Sequence, residues 1–391
     1  MPIQVFTTPS AGASYSSQPP ASASSVLLDG QLVTASSIST SVTGTGAPWL
    51  LYANGGGTTT ITVGSNTYTV TAGSTVGTSA YTGSQSVTVS KPPTPFSAST
   101  MPSSSNWASM AYGNGTFISV GQSGTTTAAY STNGSSWTGM TLSSIASVGG
   151  SGGSVYGNNL FVVVDGNGTG VVVYSSNGTT WTSATITGGA TTYYQAVCYG
   201  FGKYVAVANS ATTVGSYSTN GSSWTAMTMS SAQNWNAVAY GNGYYMAVSS
   251  GAGAYSTNGT TWTASTMPSA STWLTCAYGG GIFVATINGT AGAYSTNGTS
   301  WTAMTMPSSQ VWDSLTYGGG FFMAIGFAST GAYSPNGTTW TSITLPSSAT
   351  WLGVAYGNGV FATASNASTA GAYSTLLPVA YGIYNGATVR A

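Results

Sequence analysis

The sequence predicts an all-β fold: a seven-bladed β-propeller with four-stranded blades of about 40 residues, preceded by a small all-β module. Two recurring phrases carry this prediction. The first, of the type Tyr-Gly-Asn-Gly-x-Phe, recurs at intervals of 44, 43, 41, 38, 39 and 39 residues, at Tyr112, Tyr156, Tyr199, Tyr240, Tyr278, Tyr317 and Tyr356. The second, Tyr-Ser-Thr-Asn-Gly-Ser-Ser-Trp or a close variant, occurs six times and ends at Trp137, Trp181, Trp224, Trp262, Trp301 and Trp340. Such fixed-period self-similarity is typical of units too small to bury their own apolar faces.

The N-terminal region differs from the repeats in composition. Residues 1–25 are rich in Ser, Ala, Pro and Thr, which predicts a flexible arm. Residues 26–91 are predicted to form a small all-β anchoring module that begins with a hairpin on the Asp29-Gly30 turn. A Pro-rich connector follows, and the propeller is predicted to span residues 92–391.

One repeat shows why four strands are expected in each blade. Trp235–Tyr240 and Tyr244–Val248 are apolar runs on either side of an Asn-Gly reversal, which is the strongest short-range hairpin signal. A third strand is predicted at Ala254–Ser256. After a second Asn-Gly turn, Trp262–Met267 alternates large apolar and small polar side chains, as a strand does.

The seventh repeat lacks an outer strand of its own. After Tyr373 the chain departs from the repeat pattern, whereas Phe96–Pro102 matches the outer strand at Trp262–Pro268. We therefore expect the strand at 96–102 to pair with the last blade and close the ring, which removes the open sheet edges.

The second phrase resembles the Asp-box, or bacterial neuraminidase repeat, in which Ser-x-Asp-x-Gly-x-x-Trp forms a hairpin turn on propeller blades. The resemblance covers residues 95–391. Asn133 and its equivalents stand where the aspartate is expected, and the turn is one residue shorter. The resemblance implies a structural turn away from any catalytic centre. The repeats are also similar to the propeller modules of phage tail-fibre and bacterial surface proteins.

The scarcity of charge excludes most chemistry. The chain has no histidine or glutamate, and its charged residues are Asp29, Asp165, Asp313, Lys91, Lys203 and Arg390. General acid–base catalysis needs paired carboxylates or histidine, and the two aspartates of the repeats fall in different predicted blades. We therefore predict that the protein is not an enzyme.

Composition limits the binding partners in the same way. Three basic residues cannot neutralise a nucleic-acid backbone. The sequence has no Cys/His cluster, so we expect no metal site and no cofactor. Calcium sites built from carbonyl and Asn oxygens stay open, but three aspartates disfavour a strong one. No apolar run approaches the roughly 20 residues of a membrane helix, and no signal peptide is expected at Met1. Cys198 and Cys276 lie in different blades and are predicted to be buried free thiols.

A further set of aromatic residues lies five positions before six of the seven Tyr-Gly tyrosines, where a loop should enter the blade; Ser151 stands at this position in the second repeat. The aromatic members are Trp107, Tyr194, Trp235, Trp273, Trp312 and Trp351. Two interpretations stay open. The rings form an exposed platform that stacks on sugar rings of a glycan ligand, or they are wedges between neighbouring blades, which is the preferred interpretation.

These patterns favour a structural or adhesive virion protein of a tailed phage: a tail-fibre, tail-tip or capsid-fibre component. The N-terminal module would contact other virion proteins, in a homotrimer, and the uncharged propeller would bind host cell-surface polysaccharide. Two alternatives remain: a bacterial propeller lectin outside any virion, and a glycan-cleaving enzyme, which the missing acids disfavour.

Overall fold

A computed structural model of the protein describes residues 26–28, 31–33, 37–54, 58–63, 65–71, 75–90, 92–122, 127–142, 150, 152–186, 192–376 and 380–385. Every regular element in these residues is a β-strand. No helix in the described part of the chain is long and apolar enough to cross a membrane. The chain divides into two compact units: Met1–Thr94 with Leu376–Ala391, and Pro95–Thr375.

The first unit is one mixed sheet, in the order β2-β1-β28-β3-β6-β4-β5. Its strands are β1 Val26–Leu28, β2 Gln31–Val33, β3 Ser37–Asn54, β4 Thr58–Val63, β5 Asn66–Thr71, β6 Thr75–Ser90 and β28 Ala380–Asn385. The C-terminal strand β28 lies parallel to β1 and antiparallel to β3. The second unit thus ends at Thr375, and not at Ala391 as the sequence analysis predicts, because the last strand completes the N-terminal sheet. The predicted arm at 1–25 lies outside the described residues.

The second unit contains the repeats, and its strands are antiparallel. They are β7 Ser97–Gly113, β8 Thr116–Gln122, β9 Thr127–Ser131, β10 Thr138–Thr141, β11 Ser154–Gly157, β12 Leu160–Val164, β13 Val171–Ser175, β14 Thr182–Thr185, β15 Tyr194–Gly200, β16 Lys203–Ser218, β17 Thr225–Gly241, β18 Tyr244–Ser249, β19 Gly253–Ser256, β20 Thr263–Ser265, β21 Trp273–Gly279, β22 Ile282–Ser295, β23 Thr302–Gly318, β24 Phe321–Ser334, β25 Thr341–Gly357, β26 Val360–Ser365 and β27 Ser368–Thr375. Several are long because they run from one predicted strand into the next.

The strand pairings group these elements into consecutive blades, which we number 1 to 7 in chain order after the Tyr-Gly phrases. Blade 2 is the simplest, with the order β11-β12-β13-β14. In blade 7, β25, β26 and β27 are followed by the first half of β7, where Ser97 lies opposite Tyr373. The second half of β7 pairs with β8 and begins blade 1. The N-terminal strand of this unit therefore joins the last blade to the first.

The Tyr-Gly phrases explain how neighbouring blades fit together. A Cβ atom added at Gly241 would lie 1.9 Å from the ring of Tyr278 in the next blade, so only glycine leaves room for that tyrosine. The same contact recurs from every blade to the next, and Gly357 of blade 7 meets Tyr112 of blade 1. These contacts form a closed cycle, which is the geometry expected of a propeller.

The Asn-Gly phrases form the turn between the third and fourth strands of a blade. In blade 4, the Oγ of Ser256 accepts the N–H of Gly259 at 2.9 Å. The side-chain oxygen of Asn258 accepts the N–H groups of Thr260 and Thr261, both at 2.9 Å. An amide oxygen satisfies these donors as a carboxylate would, so asparagine can replace aspartate without adding charge. The same contacts recur at Asn133, Asn177, Asn220, Asn297 and Asn336.

The strand directions give the propeller two distinct faces. The Tyr-Gly turns and the Asn-Gly turns all lie at one end of the blades, which we call the turn face. The loops between second and third strands, and the links from each blade to the next, lie at the other end, which we call the loop face. The apolar core lies between blades: Met227 of blade 3 packs in one cluster with Trp235 and Tyr245 of blade 4.

Candidate functional site

The six predicted platform residues lie inside the protein and not on its surface. Trp107, Tyr194, Trp235, Trp273, Trp312 and Trp351 are each 0–1% exposed. A ring with no exposed face cannot stack on a sugar, so the burial contradicts the platform hypothesis. The wedge interpretation fits the contacts: Trp273 of blade 5, for example, packs in one cluster with Met246 and Val248 of blade 4.

In five of these six residues the polar atom of the ring has a hydrogen-bond partner, whereas the indole N–H of Trp235 is buried without one. The indole N–H of Trp273 donates to the carbonyl of Ser269 at 3.3 Å, and that of Trp312 donates to the carbonyl of Gly289 at 3.1 Å. The hydroxyl of Tyr194 lies 2.7 Å from that of Ser216. These contacts help to fix the start of the first strand in blades 3, 5 and 6 on the loop face.

The residue that follows each of these buried aromatics, which we call the wedge aromatics, lies outside the regular strand register. In six blades the register shifts at this residue, which marks a β-bulge. A bulge turns a side chain away from the regular alternation of the strand and is common beside functional sites. The residues at these bulge positions are Ala108, Gln195, Asn236, Leu274, Asp313 and Leu352. They differ in chemistry more than the residues on either side of them.

Four of the bulge positions, in consecutive blades, keep part of their surface exposed: Gln195, Asn236, Leu274 and Asp313. Two large aromatic side chains on the same face are more exposed, Tyr193 at 50% and Phe327 at 45%. Tyr193 immediately precedes the first strand of blade 3, and Phe327 follows Gly326, the strand partner of Trp312. We call these six residues, on blades 3 to 6, the loop-face arc.

The middle of the arc is held by hydrogen bonds across blades. The side-chain N–H of Asn209 in blade 3 donates to the side-chain oxygen of Asn236 at 3.0 Å. The side-chain N–H of Asn236 in turn donates to the carbonyl of Trp273 in blade 5 at 2.8 Å. Asn236 is therefore fixed in orientation before any ligand binds.

A cavity of about 450 Å³ opens beside the arc, at the loop face of blade 5 and the entry to blade 6. It is lined by Ser271, Thr272, Leu274, Ile287, Asn288 and Val311. The lining combines aliphatic side chains with hydroxyl and amide groups and carries no charge. The cavity is an open depression and is not enclosed, so it offers a surface for contact along a ligand.

Asp313 is the one acidic residue of the arc. Burial raises the pKa of its carboxyl group to about 6. Neutral and charged forms are therefore both accessible near physiological pH, and the neutral form can donate a hydrogen bond.

Cys276 lies buried two residues after Leu274, and burial raises the pKa of its thiol to about 12, which makes it a poor nucleophile.

Other kinds of site are not seen in the described residues. No group of three or more His, Cys, Asp or Glu side chains that could hold a metal occurs among them. Cys198 and Cys276 are both free and buried, as the sequence predicts.

The sequence analysis does not predict the arc because it considers aromatic residues that recur at one position of the repeats. The sequence does contain a signal for the arc: the position after the wedge aromatic varies from Ala to Gln, Asn, Leu and Asp, although the rest of the repeat is nearly uniform. In a repeat protein, uniform positions serve the shared packing, so a variable and exposed position is the better candidate for a specific function.

Comparison with known proteins supports the fold alone. No protein-family profile matches the chain, and a search of curated protein sequences finds no significant match. Among solved structures, virginiamycin B lyase from Staphylococcus aureus is similar with a TM-score of 0.62 and 11% identity, over 72% of this chain and 99% of that one. The WD40 β-propeller domain of Doa1 has a TM-score of 0.57 and 11% identity, over 73% and 97%. YCF48 bound to D1 peptide has a TM-score of 0.57 and 14% identity, over 72% and 95%. The chain is thus an all-β protein with a propeller fold.

Proposed function

We propose that this protein is a non-enzymatic attachment protein of a tailed-phage virion, in a tail fibre, tail tip or capsid fibre, and that it binds a neutral host polysaccharide. The observation that carries the binding proposal is the loop-face arc beside its uncharged cavity. Exposed aromatic rings offer flat apolar surfaces to sugar rings, and the amides and hydroxyls offer neutral hydrogen bonds.

The low charge of the chain supports a neutral ligand. Three acidic and three basic residues in 391 leave little means of attracting a charged partner from a distance. A polysaccharide of neutral sugars is rich in the hydroxyl groups that such a surface can recognise. Binding by stacking and neutral hydrogen bonds is weakly screened by salt.

The absence of catalysis is part of the same proposal. Although a lyase shares the fold, a histidine-to-alanine variant of virginiamycin B lyase is described as catalytically inactive. The present chain has no histidine at all, so it cannot carry out a step that depends on one. The two aspartates of the propeller lie in blades 2 and 6, and only Asp313 belongs to the arc.

The virion assignment is motivated by the two-unit organisation and by the resemblance of the repeats to phage propeller modules. The Asn-Gly turns, with their Ser and Trp partners, support a relation to the Asp-box repeat. The N-terminal unit would make the contacts to other virion proteins, in a trimer.

A bacterial propeller lectin outside a virion would use the same arc, and immunogold labelling of phage particles separates the two.

The binding proposal is tested by applying the full chain to an array of neutral and acidic bacterial surface polysaccharides at low salt and at seawater-like salt. We expect neutral polysaccharides to be bound, with affinities that change by less than about threefold between the two conditions. Binding only to acidic polysaccharides, or binding that disappears at high salt, would contradict the proposal.

A further inference from the structure

The loop that follows the second strand of blade 2 contains an unusual buried charge. Asp165 is 0% exposed and is the one charged residue buried to this degree among the residues that the structure describes. The position lies nine residues after the Tyr-Gly tyrosine. At the same position the other blades bury Gly121, Ala208, Ser249, Ile287, Gly326 and Ser365, which are all neutral. The fold therefore does not require an acid here.

The two oxygens of this carboxylate are in different situations. Oδ2 accepts the backbone N–H of Thr169 at 3.1 Å and its hydroxyl at 2.6 Å. Oδ1 is buried and has no hydrogen-bond partner. An ionised carboxylate loses much solvation on burial and needs a compensating partner. The loop therefore holds Oδ2 in place, whereas Oδ1 has no compensating partner.

No basic side chain in the described part of the chain supplies that partner. Lys203 is the one lysine or arginine in those residues, and its ammonium group donates to the carbonyl of Asn258 at 2.8 Å. That contact lies on the turn face, whereas Asp165 lies on the loop face. An ionised Asp165 therefore has no counter-charge among the described residues.

The loop sequence Asp-Gly-Asn-Gly-Thr-Gly indicates what would supply that counter-charge. Oxygen-bearing side chains stand at its first, third and fifth positions, at Asp165, Asn167 and Thr169, and a glycine stands at the sixth. This is the spacing of the first half of an EF-hand calcium loop, in which the sixth residue must permit a sharp turn. Gly170 has a φ of 68°, and Asn167 and Thr169 are exposed.

We propose that this loop binds a calcium ion through Asp165 Oδ1, with the side-chain oxygen of Asn167 and loop oxygens completing the shell. This differs from the expectation, based on composition, that the chain has no metal site. Because the chain has no glutamate, the bidentate ligand that ends an EF-hand loop is missing. The expected dissociation constant is therefore in the weak range of extracellular sites, about 10⁻⁴–10⁻³ M.

The test is a thermal melt of the full chain at increasing CaCl₂, with NaCl at matched ionic strength and MgCl₂ as comparisons. We expect 10 mM CaCl₂ to raise the midpoint by about 2–4 °C, since a ligand that binds only the folded state stabilises it. MgCl₂ should do less, because Mg²⁺ gives up its water reluctantly and demands a stricter geometry. An equal response to MgCl₂ or NaCl, or no response to CaCl₂, would overturn the proposal.

Three variants connect the response to this loop. Asp165→Asn should abolish the calcium response while melting, without calcium, at or above the wild-type midpoint, because it removes a buried charge. Asn167→Ala changes an exposed residue and should raise the calcium concentration needed for half the response several-fold. Asp313→Asn, at the other propeller aspartate, should respond as the wild type does. A full calcium response in Asp165→Asn would place the ion elsewhere and overturn the assignment.

Discussion

On the turn face, every blade makes the same Tyr-Gly contact with the next, whereas on the loop face successive blades present different side chains. The tyrosine of each Tyr-Gly phrase fills the space over the glycine of the preceding blade, around the whole cycle. At the other end, the bulge positions carry an amide, an aliphatic chain or a carboxyl group in turn. The comparison teaches that repetition in this chain marks packing, and that departure from the repeat marks the surface available for recognition.

The largest expected effect comes from removing a repeated aromatic wedge. Trp235→Ala empties a fully buried site between blades 3 and 4. We expect a loss of about 3–5 kcal/mol in the free energy of unfolding, the usual range for a buried tryptophan. Chemical denaturation measures it. A loss below about 1 kcal/mol would show that the ring is not part of the packing.

A smaller effect is expected at the contact between blades on the turn face. Gly241→Ala places a methyl group against the ring of Tyr278, which must move, at a cost of about 1–3 kcal/mol. Gly139→Ala is the matched control. A Cβ there lies 3.4 Å from its nearest neighbour, Pro102, and Gly139→Ala should change the free energy of unfolding by less than about 1 kcal/mol. If both variants melt alike, the tyrosine contact is not what requires glycine.

These two regions also differ in how far the sequence predicts them. Asn-Gly turns, short strands and the closing strand at Phe96–Pro102 depend on local chemistry or on a direct match between repeats, and both are visible in the sequence. The alternation of side chains along a strand shows which of them lie on the same face of the sheet. It does not show which face the neighbouring blade covers. For this reason the sequence leaves both an exposed and a buried position open for Trp235, and the structure shows that the neighbouring blade buries it.

The β-bulge was a second obstacle to sequence reasoning. It shifts the register after Trp235 and after Trp312, at Asn236 and Asp313, and period-two counting along a strand does not reveal such a shift. The sequence extends the predicted propeller to residue 391, and so over Ala380–Asn385, because this segment follows the last repeat. Its actual partner is the N-terminal sheet, a long-range pairing that no local pattern encodes.

A still smaller effect is expected in the pH dependence of stability, which reports on Asp313 in the arc and not on the repeated packing. Because burial raises the pKa of Asp313 to about 6, the folded state binds more protons than the unfolded state between about pH 4 and 6. The free energy of unfolding should therefore fall as pH rises through this window. With discounting for partial exposure, the change is about 1–2 kcal/mol. Melting curves at pH 4, 5, 6 and 7 measure it.

The variant Asp313→Asn provides the control for this pH dependence. Without the carboxyl group, the fall in stability between pH 4 and 6 should largely disappear. The chain has no histidine or glutamate, so few other groups titrate there. An unchanged slope in Asp313→Asn would assign the pH dependence to another group.

The central claim is that recognition belongs to the loop face, and three exposed aromatic residues test it directly. Tyr193→Ala and Phe327→Ala each remove a ring from the arc. Phe201→Asn removes a ring that is 74% exposed but lies on the turn face. Its φ of 43° matches that of Asn114, Asn242 and Asn358 at the same turn in other blades, so asparagine fits there.

The measurement is the affinity of each variant for the neutral polysaccharide that the wild type binds most tightly on the array. We expect Tyr193→Ala and Phe327→Ala to bind about 3- to 10-fold more weakly, as the loss of one stacking contact predicts. Phe201→Asn should bind as the wild type does, and all three should keep the wild-type melting midpoint to within a few degrees. Weaker binding in Phe201→Asn, with unchanged binding in the two loop-face variants, would contradict the account.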